Sequence, residues 1–316
     1  MSAISADQAI RKLGWNVQHG VHRDEAIAFI RGLDPLPEVF LLQEAQPGDP
    51  QAGVLSDAQV MAEALGMDAF EGVVTQHLRR PKHNVIFLRR DGLFVHEGTF
   101  QHPGAPHQAP ANIAVRLRLP DGSLSRRRLL LLSGHACYYS AALRKIEADF
   151  VLSVFKDGEL GYAEYDTNSY RAGRHPHDLE NVQDAPFATN RSYLTDDGRF
   201  IPDDRFDRTL IHGGLVDVAL WAADRLGQAG ADGPTAGWGP DKRRQRVLRE
   251  GHEDGDPAAA IDRGYCVAEM APALLAAGPI DTPAARACSD HLPVDSLWSY
   301  AGLAEVMNRD VEVIRH

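Results

Sequence analysis

Short apolar runs alternate with amphipathic stretches along the whole chain. LGWNV (13–17), EVFLLQ (38–43), NVIFLRR (84–90), IAVRLRL (113–119) and RRLLLLSGH (127–135) read as strands, because compact aliphatic and β-branched runs bounded by turn formers suit a buried pleated surface. Between them, HRDEAIAFIRGL (22–33) and SDAQVMAEALG (56–66) carry helical spacing. The second has Ser56 as its N-cap and Gly66 as its stop. The spacing also predicts helices over 141–156 and 213–227, the latter ending at Gly227.

Residues 113–135 form a hairpin pattern with Pro120-Asp121-Gly122-Ser123 as the turn. That implies antiparallel pairing inside an α/β protein, which counts against a purely parallel sheet. Residues 228–258 are rich in Gly, Ala, Pro and charge, and strand-like IDRGYCV (261–267) then resumes the pattern. The expectation is one domain over 1–316 with a surface loop or lid inserted at 228–258.

Composition narrows the class. The 316 residues are 44% hydrophobic and 24% charged, enough for a large core. No window approaches 18 apolar residues, and MSAISADQAIRKL carries charge where a signal peptide is apolar. A cytoplasmic protein with no membrane partner and no obligate protein partner is expected. Cys137, Cys266 and Cys288 show no Cys-x-x-Cys spacing, so they read as reduced thiols. The net charge of −11 argues against coating nucleic acid through bulk electrostatics, yet it leaves room for a local basic groove. Basic runs occur at 78–82, 125–129 and 242–249. The last reads either as a solvated helix face or as a strand-binding or substrate-gating element.

The chemistry collects where apolar runs end. Trp15-Asn16, Gln43-Glu44, Ser133-Gly134-His135, Tyr165-Asp166-Thr167-Asn168, Ile261-Asp262 and Ser289-Asp290-His291-Leu292-Pro293-Val294 all place polar, proton-transferring or metal-binding groups there. A core rejects such groups unless they are paired. Six endings of this kind are difficult to dismiss as surface carboxylates.

In order and approximate spacing, WN, LLQE, GH, DTN, ID and SDHLPV resemble the endonuclease/exonuclease/phosphatase superfamily over residues 14–298, and GGLVDV (213–218) resembles the segment before its last strands. The resemblance implies an α/β two-sheet sandwich flanked by helices in four layers. It also implies a metal-dependent phosphoesterase, with Mg²⁺ as cofactor and Mn²⁺ able to substitute. Glu44, Asn16 and Asp290 would form or support the metal site, since magnesium prefers oxygen ligands and needs few carboxylates. Asp166 would orient the attacking water and Asn168 would donate to a phosphoryl oxygen. His135 and His291 would contact the phosphate, with Asp262 holding the His291 ring. Either Asp166 or the Asp262–His291 pair would be the base.

Two motifs depart from the family pattern. The central one reads GYAEYDTNSY where the family has Gly-Asp-Phe-Asn, and Ala260 stands where Arg commonly precedes Ile-Asp. Tyr138, Tyr139 and Arg144 are further candidates for substrate contact, a solvated arginine being the alternative for the last. The function so implied is a phosphodiester hydrolase acting on nucleic acid. The alternatives are a phosphatase for a small phosphorylated metabolite or nucleotide, and a silent binding protein of the same fold.

Overall fold

The computed structural model describes residues 8–75, 81–102, 104, 107–156, 158–174, 185–237 and 259–310. Two six-stranded mixed sheets pack face to face. In spatial order the first is Leu274–Pro279 (β13), Val294–Ser299 (β14), Ala9–Asn16 (β1), Val39–Ala45 (β2), His83–Arg89 (β4) and Met67–Glu71 (β3). The second is Leu215–Asp217 (β11), Asp262–Val267 (β12), Leu160–Asp166 (β8), Leu129–His135 (β7), Ala111–Leu117 (β6) and Phe94–Phe100 (β5). Among the described residues, only β1–β2 and β7–β8 pair in parallel. A small hairpin, Ser192–Leu194 (β9) with Phe200–Pro202 (β10), stands apart from both sheets.

Helices cover the outer faces. Arg23–Arg31 (α1) and Asp57–Leu65 (α2) bury Ile27, Ile30 and Met61 on Leu13, Trp15, Phe40 and Leu42. Ala141–Val154 (α3) and Arg205–His212 (α5) bury Val151, Phe206 and Leu210 on Leu130, Leu132 and Tyr165. Ala185–Asn190 (α4), Val218–Arg225 (α6), Pro283–Cys288 (α7) and Tyr300–Asn308 (α8) are the other α-helices among the described residues. Each fully buried Leu, Ile or Phe in these layers contributes about 1.5–3 kcal/mol.

Several expectations hold in detail. Ser56 Oγ accepts from Gln59 N at 3.1 Å while Ser56 N donates to Gln59 Oε1 at 2.9 Å, and Gly66 closes α2 at φ 65°. The strands β6 and β7 pair antiparallel, and the turn uses Gly122 at φ 83°. The helix over 213–227 is corrected: Gly213 caps α5, Leu215–Asp217 is a strand, and the helix begins only at Val218. Asp217 makes that break, since its carboxylate accepts from Ala219 N and Leu220 N, both at 3.0 Å. Of the loop at 228–258, residues 238–258 lie outside the described residues, as do 78–80 and 242–249 of the basic runs.

The inner faces of β1 and β8 meet in three successive pairs. Lys12 Nζ lies over the Tyr162 ring at 4.6 Å, Gly14 abuts Glu164, and Asn16 Nδ2 donates to Asp166 Oδ2 at 2.9 Å. A Cβ on Gly14 would fall 2.1 Å from Glu164 Cγ, so only glycine permits this approach. Gly14→Ala is expected to cost about 1–3 kcal/mol in urea unfolding. Adding Glu164→Ala should recover part of that loss, and strictly additive losses in the two variants would refute the contact as the cause.

Candidate active site

Strand register assembles the site. His135 of β7 pairs with Asp166 of β8, and Asp166 pairs with Asp262 of β12. One line across three strands therefore carries His135, Asp166 and Asp262 on the face turned toward the first sheet. From that sheet β1 delivers Asn16, and the segment between α7 and β14 delivers Asp290 and His291. Trp15 Nε1 donates to His291 O at 2.9 Å, Ser289 Oγ donates to Asn16 O at 2.7 Å, and His291 N donates to Ser289 Oγ at 3.1 Å. These bonds tie the two segments together.

Glu44 arrives by a different route. The pairing of β2 with β4 slips between Leu42 and Ala45, and Glu44 sits at φ 63°, a conformation rare for a residue with a side chain. A bulge re-aims a side chain, and here it brings the Glu44 carboxylate within 3.6 Å of His135 Nδ1. Neighbouring Gln43 instead crosses the sandwich, donating to Ser133 Oγ at 3.0 Å.

Asp166 is buried and held ready. Besides Asn16, the Asn168 backbone N–H donates to Oδ1 at 3.0 Å, and His135 Nε2 lies 3.3 Å from Oδ2. Burial alone would raise its pKa. His135, His291, Arg191 and the Asn16 amide outweigh that and lower it, so the carboxylate is ionised. Burial lowers the pKa of His135 against the pull of Asp166 and Glu44, keeping the ring neutral. Gln108 Nε2 lies 3.1 Å from its Nδ1, and donation there puts the ring proton on Nε2.

His291 behaves in the opposite way. Its Nδ1 lies 2.8 and 3.0 Å from the two oxygens of Asp262, which also accepts from Thr235 Oγ1 at 2.8 Å. Burial works against the imidazolium, but Asp262, Asp166 and Asp290 together raise the His291 pKa well above its ordinary value. Its Nε2 stands 4.0 Å from Asp166 Oδ2 and 3.9 Å from Asp290 Oδ1. The result is an ionised carboxylate facing an imidazolium, with a neutral histidine alongside.

The other expected residues are placed as follows. Asn168, at φ 49°, spends its side-chain amide on Ala136 O at 3.0 Å, so in this arrangement it braces the loop. Asn16 gives its NH₂ to Asp166 and accepts Gln18 N on its oxygen at 3.0 Å, which suits it to holding Asp166. Tyr138 and Tyr139 are 50% and 42% exposed beside the site, edge-on to each other and to His107, which is itself edge-on to His135. Arg144 does not face substrate: it is buried, donating to Asp203 Oδ2 at 2.7 Å, Cys137 O at 2.9 Å and Asn190 O at 2.6 Å.

Among the described residues, the run at 125–129 is paired off away from the site. Arg126, Arg127 and Arg128 pair with Asp310, Glu269 and Glu159. They precede β7, whose opposite end carries His135, roughly 20 Å away at strand rise. From the run at 78–82, Lys82 does reach the site and pairs with Glu44. The sequence reading passed over His19, Gln108 and Thr235, which lie outside the strand-end motifs.

Oxygen-rich side chains suit a hard divalent ion, and the donor set here fits one. Asp166, Asp262 and His291 place candidate ligand atoms within 4.8 Å of one another, a group that includes none of Asn16, Glu44 and Asp290; of the three, the two carboxylates are the donors, since an imidazolium has no lone pair to give. Glu44 adds a carboxylate held ionised. Burial opposes that state, but the His19 hydrogen bond and the nearby His135 and Lys82 drive its pKa well below the usual value.

No protein-family model and no curated protein matches the chain. Solved structures do match. An endonuclease/exonuclease/phosphatase from Beutenbergia cavernae superposes with TM-score 0.61 at 17% identity, covering 92% of this chain and 72% of that one. An AP endonuclease from Archaeoglobus fulgidus gives 0.56 at 12% identity, covering 92% and 99%. A mannosyl-6-phosphatase from Bacteroides thetaiotaomicron gives 0.54 at 12% identity, covering 91% and 99%. The chain has the four-layer fold of the endonuclease/exonuclease/phosphatase proteins, two mixed sheets flanked by helices. Among the described residues no helix is long and apolar enough to cross a membrane.

Proposed function

We propose that the protein is a divalent-metal-dependent phosphodiester hydrolase acting on nucleic acid. The observation that carries this reading is the register line His135–Asp166–Asp262 with His291 opposite. It brings a carboxylate, a neutral imidazole and an imidazolium together, the three groups that phosphoryl transfer to water would use as base, donor and charge stabiliser.

In this reading Asp166, ionised and fixed by Asn16 and the Asn168 N–H, orients the attacking water and accepts its proton. The His291 imidazolium, steered by Asp262, meets the negative charge that grows on the phosphoryl oxygens. His135 donates from Nε2 to the same group. Glu44 and Asp290 are the oxygen donors for Mg²⁺ or Mn²⁺, and the bound ion supplies Lewis-acid stabilisation of phosphoryl and leaving-group charge. Tyr138 and Tyr139 offer exposed ring surface beside the phosphate position, where stacking a base is worth about 1–3 kcal/mol.

Net charge of −11 and the pairing-off of the basic run at 125–129 favour a second reading, a phosphatase for a small phosphorylated metabolite or nucleotide. Nicking of supercoiled plasmid in Mg²⁺, with EDTA and His291→Ala as controls, separates the two. Cutting by the wild type alone supports the nuclease. No cutting, with phosphate released from nucleotides or sugar phosphates, establishes the phosphatase.

A further inference from the structure

Both oxygens of Glu44 are engaged by this chain's own cations and donors. Lys82 Nζ lies 2.7 Å from Oε1, while His19 Nδ1 lies 2.7 Å from Oε2 and the His19 N–H donates to Oε2 at 3.1 Å. The three side chains are only 11–17% exposed, so these pairs are little screened by solvent. Backbone pairing fixes the partnership. Ala45 pairs with His83 across the β2 bulge, and a Thr75–Lys82 bridge guides the chain into β4. Lys82 is thus anchored next to the residue that faces Glu44's neighbour.

An ammonium at contact distance and a divalent ion compete for the same lone pairs, and at such range the two cations repel strongly. Resting on the metal-dependent reading above, we propose that Lys82 is the resident counter-cation of Glu44, and that a divalent ion enters this site by displacing its ammonium. Displacement frees Oε1 for the ion and leaves Oε2 with His19. His135 Nδ1 lies 3.6 Å from the same oxygen, so the ammonium leaves a position bordered by that ring. The lysine therefore weakens metal binding in the resting protein.

Calorimetric titration of Mg²⁺ and Mn²⁺ into the full chain without substrate tests this. Lys82→Met should bind either ion roughly tenfold more tightly than wild type, and Lys82→Arg should stay near wild type. Equal affinities for wild type and the Met variant overturn the displacement while leaving the metal-dependent reading intact; no binding by any of the three overturns both. A second measurement needs no variant. Amine acylation of Lys82 in the wild type, read by mass spectrometry against the half-exposed Lys145, should rise several-fold when Mg²⁺ is added. Unchanged or slower labelling of Lys82 overturns the proposal.

Discussion

Asp166→Asn is expected to lower kcat about a thousandfold in the plasmid assay with the folded state retained, since a positioned general base contributes roughly 10²–10⁴-fold. The substitution keeps the acceptor for the Asn168 N–H but sets an NH₂ against the NH₂ of Asn16. Asp262→Asn is the matched control. It leaves the base in place and weakens only the hold on His291, so the expected loss is ten- to a hundredfold, carried largely by the alkaline limb of the pH profile. The directions of the shifts set that profile. Asp166 titrates below the usual Asp range, so the acid limb should fall below about pH 4. His291 titrates well above the usual His range, so the imidazolium should persist past about pH 6.5 and activity should fall only above it. If Asp262→Asn proves the more damaging variant, the Asp262–His291 pair is the base and Asp166 positions.

Much of this site was legible because its residues stand where apolar strands stop. Period-2 alternation places Asn16 on one face with Ile10 and Lys12, and Asp166 on one face with Tyr162 and Glu164. A sequence reading that sees the strands therefore sees which polar residues share the interior. Arg144 could have been read correctly from the same kind of pattern. Arg144, Glu147, Ala148 and Val151 occupy the buried face of α3, and a charged residue on that face requires a partner inside, here Asp203. Lys82 and Glu44 could not be matched, because their pairing depends on a bulge between β2 and β4 that no periodicity announces. The strand at 215–217 was hidden for a similar reason. Three residues cannot display a period, and the Asp217 cap is read only once the helix start is known.

Lys12→Met should stabilise the protein at neutral pH, an unusual result for a core substitution. Lys12 is buried between the sheets against Tyr162 and Trp298, whose rings lie 4.6 and 4.1 Å from Nζ, and no hydrogen bond satisfies that nitrogen among the described residues. Desolvation lowers its pKa from 10.5 to about 7, with Cys266 opposing weakly. A lysine depressed in the folded state binds fewer protons there than in the unfolded chain between pH 7 and 10.5, so its cost is full below pH 7 and fades as pH rises toward 10.5. That cost is roughly 4–5 kcal/mol at its upper bound, offset by about 1–2 kcal/mol of cation–π attraction that methionine lacks. Methionine fills similar volume with a flexible apolar chain. Urea unfolding at pH 7 should therefore show Lys12→Met more stable by about 2–3 kcal/mol, with the difference shrinking or reversing near pH 10. A variant less stable than wild type at pH 7 would mean that the ammonium, held by the two rings, contributes more than its burial costs.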